Sequence, residues 1–148
     1  MNIDELKAIA LKGFDGNGFY LAKYKNQTYL AHIDGEIYVF SNSSISEKST
    51  ERKDGFMTKV NISDLDDFFF AKLSVTFQGN IYETGRVGKR LNKIELIARK
   101  GLELEDKKLG FEDDLNERVT HCLIYFGDIE GISISMQSVY DEYLLKNE

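Results

Sequence analysis

The 148-residue chain has no proline, no tryptophan, one cysteine and two histidines. Each scarcity excludes something. One cysteine cannot close an internal disulfide, which fits a reducing compartment. Three Cys and His residues in all cannot supply the four ligands of a structural zinc, so any zinc site would have to recruit carboxylates. Without proline, every turn falls to Gly, Asn, Asp or Ser. No stretch approaches the roughly 18 consecutive apolar residues of a membrane span. The start, MNIDELKAIALKGF, carries acids where a secretory signal has a basic end, so the expected location is the cytoplasm and no membrane partner is expected. No H-E-x-x-H, Walker loop, G-x-S-x-G or S-x-x-K stands in the context its chemistry requires. GFDGNG, residues 13–18, follows a helical pattern instead of a strand, and a calcium loop begun at Asp15 meets Phe19 where an oxygen ligand is needed. The expectation is therefore no catalytic residue, no metal and no cofactor, and the balance points away from an enzyme.

What is present is an ordinary globular composition, 42% hydrophobic and 30% charged, of a length that encloses one core as a single domain over 1–148. The net charge of -6 is unevenly placed. Residues 86–100 hold six basic side chains and one acid, whereas residues 101–148 hold four basic and twelve acidic. Such a molecule is repelled by bulk phosphate and is steered toward a basic protein.

Residues 3–12 have helical spacing at Ile3, Leu6, Ile9 and Ala10, with Asn2 and Glu5 as a capping box. Residues 19–41 read as a three-stranded meander with turns at Asn26-Gln27 and Asp34-Gly35. Two-residue loops would set Ile33 opposite Glu36, Ala31 opposite Tyr38 and Tyr24 opposite Tyr29, gathering Tyr20, Tyr29 and Tyr38 on one face and His32 on the other. Ser41–Gly55 reads as a solvated connector. Ser63 and Asp66 predict a cap for a helix over Asp64–Leu73, with Leu65, Phe68, Phe69 and Leu73 as its buried stripe. A hairpin around Gly79-Asn80 follows, then a strand carrying Ile94, Leu96 and Ala98, an acidic connector over 103–117, strands at Val119–Phe126 and Ile132–Ser135, and a closing helix capped by Ser138. The fold expected is thus α+β: a mostly antiparallel sheet, with helices from both termini and one from mid-chain.

The only cysteine lies in THCLIYFG, directly after His121. In a strand the two neighbours point to opposite faces and cannot form a nucleophile–base pair. Both faces of this strand are apolar, so it is expected to be covered on each side, with Cys122 a small buried hydrophobe. YFGDIEGISIS, residues 125–135, resembles the strand, acidic turn and strand of a group of small bacterial immunity proteins. That likeness spans 11 residues, and the early meander and missing tryptophan depart from the group.

Three functions follow as expectations. First is an acidic inhibitor or immunity-type module, monomer or homodimer, that neutralises a basic partner such as a nuclease toxin through Glu112, Asp113, Asp114, Glu117, Asp128 and Glu130. Second is a small-molecule-binding or hydrolase-like pocket built from Tyr20, Tyr29, Tyr38 and His32. Third is nucleic-acid binding through Arg86, Lys89, Arg90, Lys93, Arg99 and Lys100, disfavoured because no aromatics interleave with the basic strip.

Overall fold

The computed structural model describes residues 18–88, 92–99, 112–114 and 119–146, together with Asp4 and Leu6. Two compact units emerge, one from residues 19–71 with 136–148, the other from 1–18 with 72–135.

The first unit is a sheet of β1 (Phe19–Tyr24), β2 (Gln27–Asp34), β3 (Glu36–Ser41), β4 (Ser49–Arg52), β5 (Gly55–Val60) and the start of β6 (Asp67–Phe77), in the order β4-β5-β3-β2-β1-β6. Its inner face is Ala22, Ala31, Ile37, Val39, Val60 and Phe68, closed by Ile62 and Leu65. Over that face lies the short helix α1 (Tyr140–Lys146), which contributes Tyr143 and Leu144. The Val139 N–H donates to Phe68 O at 2.8 Å and ties the helix to the sheet.

The meander forms as expected, but its registers differ. Lys25 and Asn26 both take positive φ and make the first turn, so Tyr24 pairs with Gln27 and Ala22 with Tyr29. The second turn has one central residue, Gly35, with φ of 69°, so that Asp34 pairs with Glu36 and Ala31 with Val39. Relative to the expected two-residue loop, β3 slips by one position, and a one-residue slip moves every side chain to the other face. Tyr38 and Phe40 therefore leave the Tyr20 face and Ile37 and Val39 join it. Two β-branched aliphatics are buried there in place of two aromatics.

The α+β fold class with its mid-chain helix is corrected. The chain is a mostly antiparallel sheet, and the one helix described end to end is short and C-terminal. Asp64–Leu73 is not helical: a 3₁₀ turn at Ile62–Asp64 leads into β6, eleven residues long. The cap of that turn is Asn61, two residues before Ser63, with the Asn61 N–H donating to the Asp64 carboxylate at 3.3 Å. The stripe Leu65, Phe68, Phe69, Leu73 fits a helix, but Ala71, Leu73, Val75 and Phe77 alternate and are all buried, and an aromatic triplet packs better on a pleated surface. Tyr20 of β1 decides the matter: its ring stacks on Phe68 at 5.2 Å and meets Phe70 edge-on at 5.4 Å. The helix expected over 3–12 falls outside the described residues except for Asp4 and Leu6, which are both helical, the first exposed and the second fully buried. Ser138 is strand, and its hydroxyl donates to Asp67 Oδ1 at 2.7 Å instead of capping α1. Ser41–Gly55 is no plain connector either, because it contains β4 and the turn into β5, a hairpin held where Ser49 Oγ meets Thr58 Oγ1 at 2.7 Å.

The second unit runs from the rest of β6 through β7 (Asn80–Gly88), β8 (Lys93–Arg99), β9 (Glu112–Asp114) and β10 (Val119–Tyr125), in the order β6-β7-β8-β10-β9. A 3₁₀ turn at Phe126–Asp128 leads to β11 (Gly131–Ser138), which pairs with β6. Leu6, Leu73, Val75, Phe77, Tyr82, Ile94, Leu96, Cys122, Ile124 and Phe126 are its buried apolar residues among those described. No helix among the described residues is long and apolar enough to cross a membrane.

Candidate functional site

Strand β10 pairs with β8 from Val119↔Arg99 to Tyr125↔Lys93. Cys122 faces inward opposite Leu96, while His121, Leu123 and Tyr125 leave on the other side opposite Ile97, Glu95 and Lys93. Imidazole and thiol thus sit on opposite faces, as alternation requires, and the thiol is 7% exposed. Cover on both sides is not what this strand has. Leu123 is 57% exposed and Tyr125 56%, against 0% for their neighbours Ile94 and Leu96 across the pleat. Composition could not separate the cases, since an apolar face reads the same whether protein or water lies over it.

Ile81 of β7, 76% exposed, has the parity of Glu83, which pairs with Ile97, so it belongs to the same open face. Three of the five large exposed hydrophobics named for the described residues therefore share one sheet surface.

At its centre is a carboxylate. Glu95 is 6% exposed, although it lies on this open side. A bulge in β7 between Thr84 and Val87 sets Gly85 and Arg86 against it. Glu95 Oε1 accepts the Arg86 backbone N–H at 3.3 Å, and Oε2 accepts Arg86 Nη2 at 2.9 Å. His121 Nδ1 stands 3.5 Å from Oε2, an ion pair only when the ring is protonated. Burial pushes this carboxyl upward, but the two hydrogen bonds from Arg86 and its positive charge outweigh that and hold the pKa below the ordinary 4.5. A Cβ on Gly85 would overlap Glu95 Oε1, so glycine is what lets the carboxylate fold onto the bulge. Sequence reasoning missed this cluster. Two signals were available: Glu95 is the one acid among residues 86–100, and glycine inside a strand pattern marks a bulge or close approach.

The acidic residues divide. Glu112, Asp113 and Asp114 form edge strand β9, paired with His121, Thr120 and Val119. Asp128 and Glu130 are exposed after the other end of β10, and the Glu130 carboxylate accepts the Gly79 N–H at 3.1 Å. Glu117 lies outside the described residues. Acids therefore flank both ends of β10.

The tyrosine constellation does not converge. Tyr20 and Tyr29 lie partly buried on the inner face of the first unit; the Tyr20 hydroxyl is 3.1 Å from that of Tyr143 in α1, while the Tyr29 hydroxyl donates to Gln27 Oε1 at 2.9 Å. His32 and Tyr38 are cross-strand partners on the opposite face. In the basic strip, Arg86 is engaged by Glu95, and Lys93 Nζ lies over the Tyr125 ring, 4.5 Å from its centroid. Lys89, Arg90 and Lys100 fall outside the described residues, and Arg99 is described only as strand. Among the described residues no three His, Cys, Asp or Glu side chains gather as a metal site. No protein family, no curated protein and no solved structure matches the chain.

Proposed function

We propose that the protein is a protein-binding module of the inhibitor or immunity type, docking on a basic partner through the open face of β7, β8 and β10. The observation that carries the reading is the exposure of Leu123 and Tyr125 on a strand whose other face is buried. Tyrosine and aliphatic side chains at the centre with charge around them is the anatomy of a recognition surface, where aromatic anchors supply most of the binding energy.

Size decides what else must take part. Three strands about 4.8 Å apart and seven residues long give a face of roughly 10 by 20 Å, on the order of a quarter of the ~800 Å² per partner that a specific interface buries. The apolar face therefore needs its flanks. Those flanks are β9 at the Val119 end and Asp128 with Glu130 beyond Tyr125, which makes the expected partner basic. Rim charges of this kind act on association rate and salt dependence more than on affinity.

The test is affinity capture from the native host with wild-type protein beside a Leu123→Asp/Tyr125→Ala variant and an Asp128→Lys/Glu130→Lys variant. A stoichiometric basic protein should be retained by the wild type, lost or weakened at least about tenfold by the first variant, and bound by the second with a flatter salt dependence. Equal retention by all three removes the reading.

A further inference from the structure

Among the described residues three strands have a neighbour on one side only: β4 and β9, at the two ends of the strand order, and β11, which pairs with β6 alone. Such an edge presents a row of unpaired N–H and C=O groups that another strand can complete. Two of the three edges are blunted. β4 is four residues long and carries Glu51 and Arg52, and β9 is three residues long and entirely acidic. Short length and charge are the devices that keep a strand edge from pairing with its own kind.

β11 has neither device. Its eight residues, GISISMQS over Gly131–Ser138, contain no charged side chain, and no proline interrupts them. The start of the strand is held on β6 by the Glu130 N–H, which donates to Thr76 O at 2.9 Å. Backbone groups of successive residues alternate between the two edges of a strand, so Gly131, Ser133 and Ser135 direct theirs away from β6. Over the same stretch Ile132 and Ile134 are half-buried, while Ser133 and Ser135 are exposed.

The residues along this edge complement themselves. In an antiparallel pairing about a two-fold axis through Ser133, Ile132 stands opposite Ile134 of the other copy, twice, and Ser133 stands opposite its own counterpart. Apolar and hydroxyl pairs of this kind stabilise a ladder, and no like charges meet. A basic protein finds no carboxylate within β11 to pair with. The occupant that fits is a second copy of the chain.

We propose that β11 is a dimerisation edge, through which two copies join β11 to β11 in an isologous antiparallel pair. The mutual stretch Gly131–Ser135 is about 16 Å long at ~3.3 Å per residue and one strand wide, far short of the ~800 Å² per partner of a standard interface. The dimer is therefore weak, with a dissociation constant on the order of 0.1 mM. It uses neither Leu123 nor Tyr125, so it stands or falls separately from the protein-binding reading.

The experiment is sedimentation equilibrium of the full chain at concentrations from about 10 μM to about 1 mM, which bracket that constant. Ser133→Lys and Ser133→Glu alter an exposed side chain and should keep the far-UV circular dichroism of the wild type. Each alone sets like charges against each other across the axis and should weaken self-association at least about tenfold. An equimolar mixture of the two should associate as tightly as the wild type or more so. Wild type that stays monomeric throughout, self-association untouched by either charge, a mixture no tighter than its components, or loss of the dimer in Leu123→Asp/Tyr125→Ala would each overturn the assignment.

Discussion

Replacing Gly85 by alanine tests the bulge and its carboxylate together. The added Cβ would occupy the space of Glu95 Oε1, so the carboxylate must swing away from the Arg86 backbone N–H. That bond is charge-assisted, of a kind that contributes ~1.5–3 kcal/mol, and its 3.3 Å length puts it at the low end. The Arg86 side chain is 80% exposed, so its ion pair adds no more than ~0.5 kcal/mol after solvent screening. The expected loss is about 2 kcal/mol, which moves a urea midpoint down by about 1 M for a small protein. Far-UV circular dichroism during urea unfolding measures it. The decisive comparison repeats the substitution in a Glu95→Ala background. There the methyl meets only the flexible end of Ile97, and Gly85 has a φ outside the left-handed region. Alanine should then stabilise by ~0.4–1 kcal/mol by restricting the unfolded chain. The sign of the effect reverses only if the carboxylate is the obstacle. Equal destabilisation in both backgrounds would refute the reasoning.

The same carboxylate predicts a pH dependence. Its folded pKa lies below the ordinary 4.5, so its contribution is complete above about pH 4.5 and disappears as pH falls through the folded value. Subtracting the acid unfolding profile of Glu95→Gln from that of the wild type should expose this loss, and parallel profiles would contradict it. Tyr20 behaves in the opposite sense: the Tyr143 hydroxyl bond and burial push it up to about 12. Its contribution is therefore complete below pH 10 and fades as pH rises toward 12, which an ultraviolet titration of Tyr20→Phe against wild type should reveal as one fewer late-ionising phenol. Phe68→Ala should cost ~3–5 kcal/mol, because a fully buried ring stacked on Tyr20 leaves a cavity; an urea midpoint within 0.5 M of wild type, on the order of 1 kcal/mol, speaks against that packing. Cys122 should react with a thiol reagent only after urea unfolding, and stoichiometric modification of native protein within minutes would place it on the surface.

How far the fold could be read depended on the range of the interactions that decide each element. Alternation in Val119–Phe126 is a property of neighbouring residues, and it sufficed to separate His121 from Cys122 and to orient both. The same holds for the strand carrying Ile94 and Leu96 and for the meander's existence. Phe68–Leu73 satisfied two periodicities at once over a few residues, and the tie was broken by Tyr20, nearly fifty positions earlier in the chain.

The acid flanks of β10 were legible because charge is local, whereas the open face between them was not. Composition alone shows that Leu123 and Tyr125 are apolar, and only packing shows that nothing among the described residues covers them. Tyr38 parts from Tyr20 and Tyr29 over a single loop residue. Gly35 closes its turn alone, and the pairing of Ala31 with Val39 instead of Tyr38 reassigns every side chain of β3.

The order of residues by itself determined the meander, the Gly79-Asn80 hairpin and the strands around Ile94 and Cys122, which neighbours share a face there, and the acidic sign of the chain's charge, since these depend on backbone pleat and fixed charges. Register and the burial of Glu95 over Gly85 were decided only in three dimensions. Each requires segments far apart in the chain to compete for the same space, and the free energy of that competition is carried by no local pattern.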